Sequence, residues 1–201
     1  MLLAIDTSNK IVSVALFKNE KEIFYQEEQM ERGQGEALIP MIQALMQKAQ
    51  YKMSDITGVA AAVGPGSFTG VRIGLATARA IALALNIPIY GVTNFEALAF
   101  GIKKPVLVAL DTKRGDYFVQ CFDKKGEPID EPHIETLDSL KSKTPFLVVG
   151  DVTDELVQKL GCKKLDSQGP SAVAIARVAL SRLNHPLPAV PLYLREADVT
   201  V

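Results

Sequence analysis

Apolar and β-branched runs separated by short polar breaks open the chain, "LLAID", "IVSVALF" and "EIFYQEE". That pattern predicts a three-stranded antiparallel meander, with "KNEK" turning the second strand into the third. Over 36–50 the spacing changes. Leu38, Met41, Ile42, Leu45, Met46 and Ala49 recur every three or four residues, which lines one face of a helix. Pro40 fits such a helix only in its first turn. A strand "TGVAAAV", a glycine-rich loop over 64–70, a helix over 68–85, a strand "IPIYGV" and a short helix "NFEALAFG" complete the first half. Their order sets a parallel strand beside the meander.

The second half repeats the plan. "LAIDT" at 3–7 returns as "VALDT" at 108–112, and each copy starts a meander. In the second, "VLVALD", "YFVQCF" and "HIETL" are the expected strands, followed by a short helix near Asp138, the strand "FLVVG" and a helix after Asp151. Two lobes with the same strand-strand-strand-helix plan, each opening on an Asp-Thr turn, predict a duplicated α/β unit, divided as 1–102 and 103–201. The second lobe is shorter. After the helix "PSAVAIARVALSRLN" the prolines of "HPLPAVPLYLREADVTV" suit an extended tail lying across the body.

Composition narrows the function. The 201 residues are 48% hydrophobic and 22% charged, an ordinary globular balance with enough apolar mass for a core. With a net charge of −1 and basic pairs scattered along the chain, tight nucleic-acid binding by this chain alone is not expected. The two cysteines, Cys121 and Cys162, are far apart and suggest neither a zinc site nor a disulfide framework, as in a reduced cytoplasmic protein. "MLLAIDTSNK" lacks a basic n-region and meets Asp6 early, so no secretory leader is expected. The long uncharged stretches, broken by Pro and Gly, fall short of the roughly 18 apolar residues of a membrane span.

Few residues suggest chemistry. "VGPGSFTGVRIG" at 63–74 fails both common phosphate patterns: Val71-Arg72 follows Gly70 where a Walker loop has Lys-Ser/Thr, and Thr69 stands where a dinucleotide loop has glycine. What remains is a tight strand-to-helix turn whose amides at 67–70 suit an anion or simply start the helix. Asp6 and Asp111 end strands, where a carboxylate can hold a metal-bound phosphate or begin a turn for local reasons. For Asp111, beside Lys113 and Arg114, the structural role is preferred. A nuclease of the ribonuclease H type needs more carboxylates converging on Asp6, and only Glu36 and Glu96 offer themselves. His133 and His185 sit in loop-like sequence, which leaves a serine or cysteine nucleophile without a base.

"AIDTS", "GPGSFTGVRIGLATARAIAL", "VTNFEALA", "LDTKRGDYF" and "PLYLRE", spread over nearly the whole chain, together resemble the TsaB family, also called YeaZ. The resemblance implies the duplicated actin-like, or ribonuclease H-like, ATPase fold with a truncated second lobe. It also implies partnership with the larger catalytic subunit TsaD in forming threonylcarbamoyladenosine beside the anticodon of tRNA. In TsaD-like sequences two histidines four residues apart hold the catalytic metal; here those places fall at Asn94 and Leu98. No Gly-Gly dipeptide of the kind that closes over adenosine is present. Asp6, Thr7 and Ser8 keep the form of the first phosphate turn and are the candidates for a vestigial nucleotide contact. Many relatives carry a His-Ser pair before the first helix where this chain has "RGQGE" at 32–36.

By this resemblance the chain is a non-catalytic scaffold with no catalytic or metal site and no cofactor of its own, ATP being used by the complex. Its expected partners are a TsaD-like subunit, a TsaE-like ATPase and a second copy, with tRNA reached only through the complex and no membrane. The family also implies that the first helix and the helix over 68–85 meet an equivalent pair in the partner. The residues expected there are Leu38, Ile42 and Leu45 with Val71, Arg72, Leu75, Arg79 and Leu83, opposite a small-residue ridge of Gly70, Gly74, Ala78 and Ala82. Asp6 and Asp111 keep open a free-standing actin-like ATPase or small-molecule kinase, and a metal-dependent glycoprotease has little support.

Overall fold

The computed structural model describes residues 1–19, 22–140, 147–167 and 169–195. Its first sheet contains β1 (Leu2–Asp6), β2 (Ile11–Asn19), β3 (Glu22–Gln29), β4 (Gly58–Gly64) and β5 (Ile89–Thr93), in the order β3-β2-β1-β4-β5. The second contains β6 (Val106–Asp111), β7 (Asp116–Phe122), β8 (His133–Thr136), β9 (Leu147–Asp151) and β10 (Lys163–Lys164), in the order β8-β7-β6-β9-β10. The two orders are the same. β1 and β6 each run antiparallel to the next strand and parallel to β4 or β9, so "LAIDT" and "VALDT" occupy matching central strands. A meander followed by a crossover strand builds this arrangement because hairpins need only short turns, whereas a parallel neighbour needs a longer crossover.

The helices are α1 (Gln34–Ala49), α2 (Phe68–Leu85), α3 (Asn94–Ala99), α4 (Asp154–Leu160) and α5 (Ala172–Ser181). In the first unit α1 and α2 cover one face of the sheet, and α3 and α5 cover the other. β1 and β4 are buried along their whole length, as a strand covered on both faces must be. On the α5 face Leu2, Ala4, Ala15, Ala60 and Ala62 pack with Ala172, Ile175, Ala176 and Ala179, and these small side chains let the helix lie close to the strands. In the second unit Leu107, Ala109, Val119 and Val148 pack with Leu156 of α4.

The division at 102/103 needs correction. The compact units are Met1–Phe100 with Gly169–Pro191, and Gly101–Gln168 with Leu192–Val201. The helix expected to finish the second lobe is α5, and it completes the core of the first. Its alanine-rich face matches the alanines of β1, β2 and β4, a complementarity that chain order does not reveal.

Smaller expectations also shift. α1 starts at Gln34, which makes Pro40 its seventh residue instead of a first-turn residue; Pro40 is exposed, so water can reach the Glu36 carbonyl it leaves unbonded. Near Asp138 the chain makes a turn, with the Ser139 and Leu140 amides donating to Thr136 O at 3.2 and 3.1 Å. Residues 20–21 of the "KNEK" turn, Phe146 of "FLVVG" and 196–201 of the tail lie outside the described residues. α2, at 18 residues, is long and apolar enough to cross a membrane by length and composition. Its buried side, Gly70, Val71, Gly74, Leu75, Ala78 and Ala82, packs on β4 and β1, as a core helix does.

Ile175 is fully buried between α5 and the first sheet. Ile175→Ala should cost about 2–5 kcal/mol. Although residue 175 follows the second unit in sequence, hydrogen exchange should show the loss of protection at β1 and β4 and not at β6 and β9.

Candidate functional sites: a sealed aspartate turn and an exposed helix pair

At the end of β1 the chain turns through Asp6, Thr7 and Ser8, all at 2% exposure or less. Ser8 folds back on the carboxylate, its amide and hydroxyl donating to Asp6 Oδ1 at 2.8 and 2.6 Å. Asn9 Nδ2 donates to Oδ2 at 3.0 Å. The glycine-rich loop then closes over this turn. Ser67 N donates to Ser8 O at 2.7 Å, and Thr7 Oγ1 donates to Gly70 O at 2.6 Å. Asn94 Nδ2, from the start of α3, reaches both Ser8 Oγ and Pro65 O at 2.7 Å.

Two glycines make the closure physically possible. A Cβ at Gly66 would lie 2.4 Å from Ser8 O, and one at Gly70 would lie 2.0 Å from Thr7 O. Gly66 has no positive φ, so the demand there is for close approach and not for backbone freedom; Gly64, at φ 98°, supplies the conformational reversal. Two of the four amides that sequence made anion candidates are already used internally: Ser67 N by Ser8 O, and Gly70 N by its capping partner Ser67 Oγ at 3.2 Å. The phosphate-like loop thus closes over the phosphate-like turn as one knot, with the turn buried and Gly66, Ser67, Phe68 and Thr69 of the loop exposed above it. Neither the Asp6 carboxylate nor the Thr7 and Ser8 hydroxyls face the surface.

Burial pushes the Asp6 carboxyl up to about 6, opposed by the Ser8 and Asn9 hydrogen bonds. Glu96 does not converge on it: its carboxylate caps α3 through Thr93 N and Oγ1 at 2.8 and 2.7 Å and pairs with Arg182. Glu36 is exposed in the first turn of α1. Asn94 and Leu98, at the two histidine places, are both buried. Sequence reasoning missed Asn94 as the strut that joins the Ser8 turn to the Pro65 loop. Among the described residues no group of three His, Cys, Asp or Glu side chains is placed to hold a metal ion.

The matching turn of the second unit repeats the amide bond, Lys113 N donating to Asp111 Oδ1 at 2.7 Å, but has different side-chain partners. Lys113, at φ 62°, bridges Asp111 Oδ2 at 3.0 Å and Asp151 Oδ2 at 2.7 Å. These two ion pairs raise the Lys113 pKa, Asp151 being the larger cause. Arg195, from the terminal motif, pairs with Asp116, whose other oxygen accepts from the Thr112 hydroxyl. His133 is a surface residue beside Glu135, and His185 is exposed.

The predicted interface set divides in two. Leu38, Ile42, Leu45, Val71 and Leu75 are at 4% exposure or less inside the chain and are corrected to core residues. The small-residue ridge and Val71/Leu75 lie on one broad inward face of α2, about 140° wide at 100° per residue, where sequence reasoning set them on opposite sides. Arg72, Arg79 and Leu83 do point outward. The exposed side of the helix pair carries Ile39 and Pro40 of α1 with Ala76, Ala80 and Leu83 of α2, and Leu83 is 83% exposed. α1 and α2 pack together, the Ile73 side chain lying 3.8 Å from the Cβ position of Gly35.

The family model for TsaD, tRNA N6-adenosine threonylcarbamoyltransferase, matches residues 26–181. The chain is 36% identical over 123 residues to the tRNA threonylcarbamoyladenosine biosynthesis protein TsaB of Buchnera aphidicola, covering 59% of this chain and 58% of that protein. The solved structure of YeaZ from Pseudomonas aeruginosa superimposes with a TM-score of 0.80 at 25% identity, covering 96% of this chain and 99% of that one. This chain belongs to the TsaB (YeaZ) family. It spans just over half the length of that curated TsaB relative. A further likeness, to (R)-2-hydroxyglutaryl-CoA dehydratase component A of Acidaminococcus fermentans, has a TM-score of 0.53 at 12% identity, covering 91% of this chain and 98% of that one, and concerns the fold alone. The duplicated actin-like fold of the TsaB-family chain therefore stands.

Two outcomes test the knot. Gly70→Ala should destabilise by about 1–3 kcal/mol, because a backbone carbonyl blocks the added methyl; an unchanged denaturation midpoint would contradict it. Asp6 binds its proton more tightly in the folded chain than in the unfolded one, from 3.8 up to about 6. Its contribution to stability is therefore fully present below about pH 4 and is lost as pH rises through about 6, a change of about 3 kcal/mol. The stability difference between the unmodified chain and the Asp6→Asn variant, followed by urea unfolding from pH 4 to 7, should shift by that amount in favour of the variant at the higher pH.

Proposed function

We propose that this chain is a supporting subunit of the tRNA threonylcarbamoyladenosine-forming machinery, binding a TsaD-like catalytic subunit through the outer face of α1 and α2 and catalysing no transfer itself. The observation that carries the reading is that outward face. It gathers Ile39, Pro40, Ala76, Ala80 and Leu83 on two packed helices, and burying a leucine as exposed as Leu83 contributes about 1.5–3 kcal/mol. The candidate chemistry points the other way. The Asp6 turn is turned inward and its donors and acceptors bond to one another.

Family membership supports the choice of partner. The TsaD family model matches this chain over most of its length, so a TsaD-like subunit shares its architecture and carries an equivalent helix pair. Two equivalent pairs can meet about a local twofold, each presenting the same kind of patch, and form a four-helix interface. A second copy of this chain offers the same geometry, which makes the homodimer a competitor for the same face. On this reading ATP is used by the complex, a TsaE-like ATPase included, and this chain reaches tRNA only through the complex, in agreement with its mixed charge.

Reconstitution tests the proposal. With the TsaD-like subunit, the ATPase, ATP, threonylcarbamoyl-adenylate and tRNA present, modification should require this chain, and this chain alone should produce none. Leu83→Glu should abolish its effect while circular dichroism stays unchanged. Equal modification when the chain is omitted would refute the supporting role.

A further inference from the structure

Residues 187–190 form a strap along the outer edge of β5. Only a single bridge joins strap and strand, Gly91 N donating to Leu187 O at 3.0 Å. A Cβ at Gly91 would lie 2.3 Å from Pro188 O, so glycine is what lets the strap pass this close. One arginine holds it: Arg79 Nη2, from α2, donates to Ala189 O at 2.6 Å, while Arg182 Nη2 donates to Gly91 O of β5 at 2.7 Å, on the strand side of the bridge. Ala189 is tucked in at 8% exposure, while its neighbour Val190, turned by the bond from its amide to Pro188 O at 2.9 Å, is 55% exposed.

The strap is continuous with the helix-pair face. At 100° per residue, Ile73 and Thr77 fall on one flank of the outer face of α2, and Arg72 and Arg79 fall on the other. Ile73 adjoins Gly35 of α1, and Arg79 adjoins Ala189 of the strap. The outer face of α2 is therefore flanked by α1 on one side, through Ile73, and by the strap on the other, through Arg79. The strap also meets the β5 edge at Gly91, whose amide and carbonyl are both bonded, to Leu187 O and by Arg182.

We propose that the strap is the far border of the partner surface: a TsaD-like subunit seated on α1 and α2 also covers Val190, and Arg79 is a positioning residue that holds the strap level with the helix. This rests on the helix-pair reading above. The guanidinium acts on a carbonyl of its own chain, so its effect on binding passes through where Val190 is placed.

Calorimetric titration of this chain with the purified TsaD-like subunit of the same organism provides the test. Leu83→Glu should weaken binding about 100-fold, and Val190→Glu about tenfold, since each places a carboxylate in a desolvated contact. Arg79→Ala should weaken binding about fivefold and should have no further effect when made in Val190→Ala, the non-additivity expected of residues that act as one. In the unmodified chain the Val190 amide should exchange more slowly once the partner is bound. Wild-type affinity for Val190→Glu beside a failed Leu83→Glu would overturn the strap alone; wild-type affinity for both would overturn the helix pair as well. Fully additive effects of Arg79→Ala and Val190→Ala would refute the positioning role. If Val190→Glu abolishes self-association in the ultracentrifuge yet leaves partner affinity unchanged, the occupant is a second copy and the proposal is wrong.

Discussion

The first unit depends on the contact between the glycine-rich loop and the turn after β1. Two backbone carbonyls, Ser8 O and Thr7 O, lie where side chains at Gly66 and Gly70 would otherwise sit. That approach sets the start of α2 against the end of β1, and through α2 it sets the position of α1. It also encloses a carboxylate. Removing Asp6 from water is unfavourable for its charged form, and the structure offsets this in part with hydrogen bonds from Ser8 and Asn9. Asn94 ties the two segments from a third direction.

The same contact separates the two candidate sites by direction. Groups with chemical potential, the carboxylate and the Thr7 and Ser8 hydroxyls, are used in holding the fold. The helix pair they position has an inward face filled by Leu38, Ile42, Leu45, Val71 and Leu75 and an outward face that keeps Ile39 and Leu83 in water. In the aspartate turn the Ser8 and Asn9 donors are directed at the Asp6 carboxylate, and the Thr7 hydroxyl at Gly70 O of the loop. The matching turn of the second unit uses a different partner: Lys113 lies between the carboxylates of Asp111 and Asp151 and offsets one of their two negative charges at the surface.

Much of this was legible in the chain. Apolar runs between turn residues located the strands and three- and four-residue spacing the helices, and the repeat of "LAIDT" as "VALDT" pointed to a duplicated unit, which takes the form of two sheets with one strand order. The glycines of 64–70 announced a tight strand-to-helix turn. Exposure on α2 was not legible. Glycine and alanine at 70, 74, 78 and 82 and the large residues at 71 and 75 read as two faces, yet they form one, since the helix is sunk deeply enough for about 140° of its surface to be covered.

Sequence by itself determined most of the local elements, the duplication and the family, because periodicity, turn chemistry and motif spacing are properties of neighbouring residues. Tertiary structure alone decided which sheet α5 completes, that Asp6 and the glycine loop are one knot, and that residues 187–190 border the helix pair. Each of those depends on atoms far apart in the chain: Ile175 against β1, Thr7 against Gly70, and Arg79 against Ala189. Close packing selects such partners by shape and by the need to satisfy buried polar groups, and no local pattern carries that information.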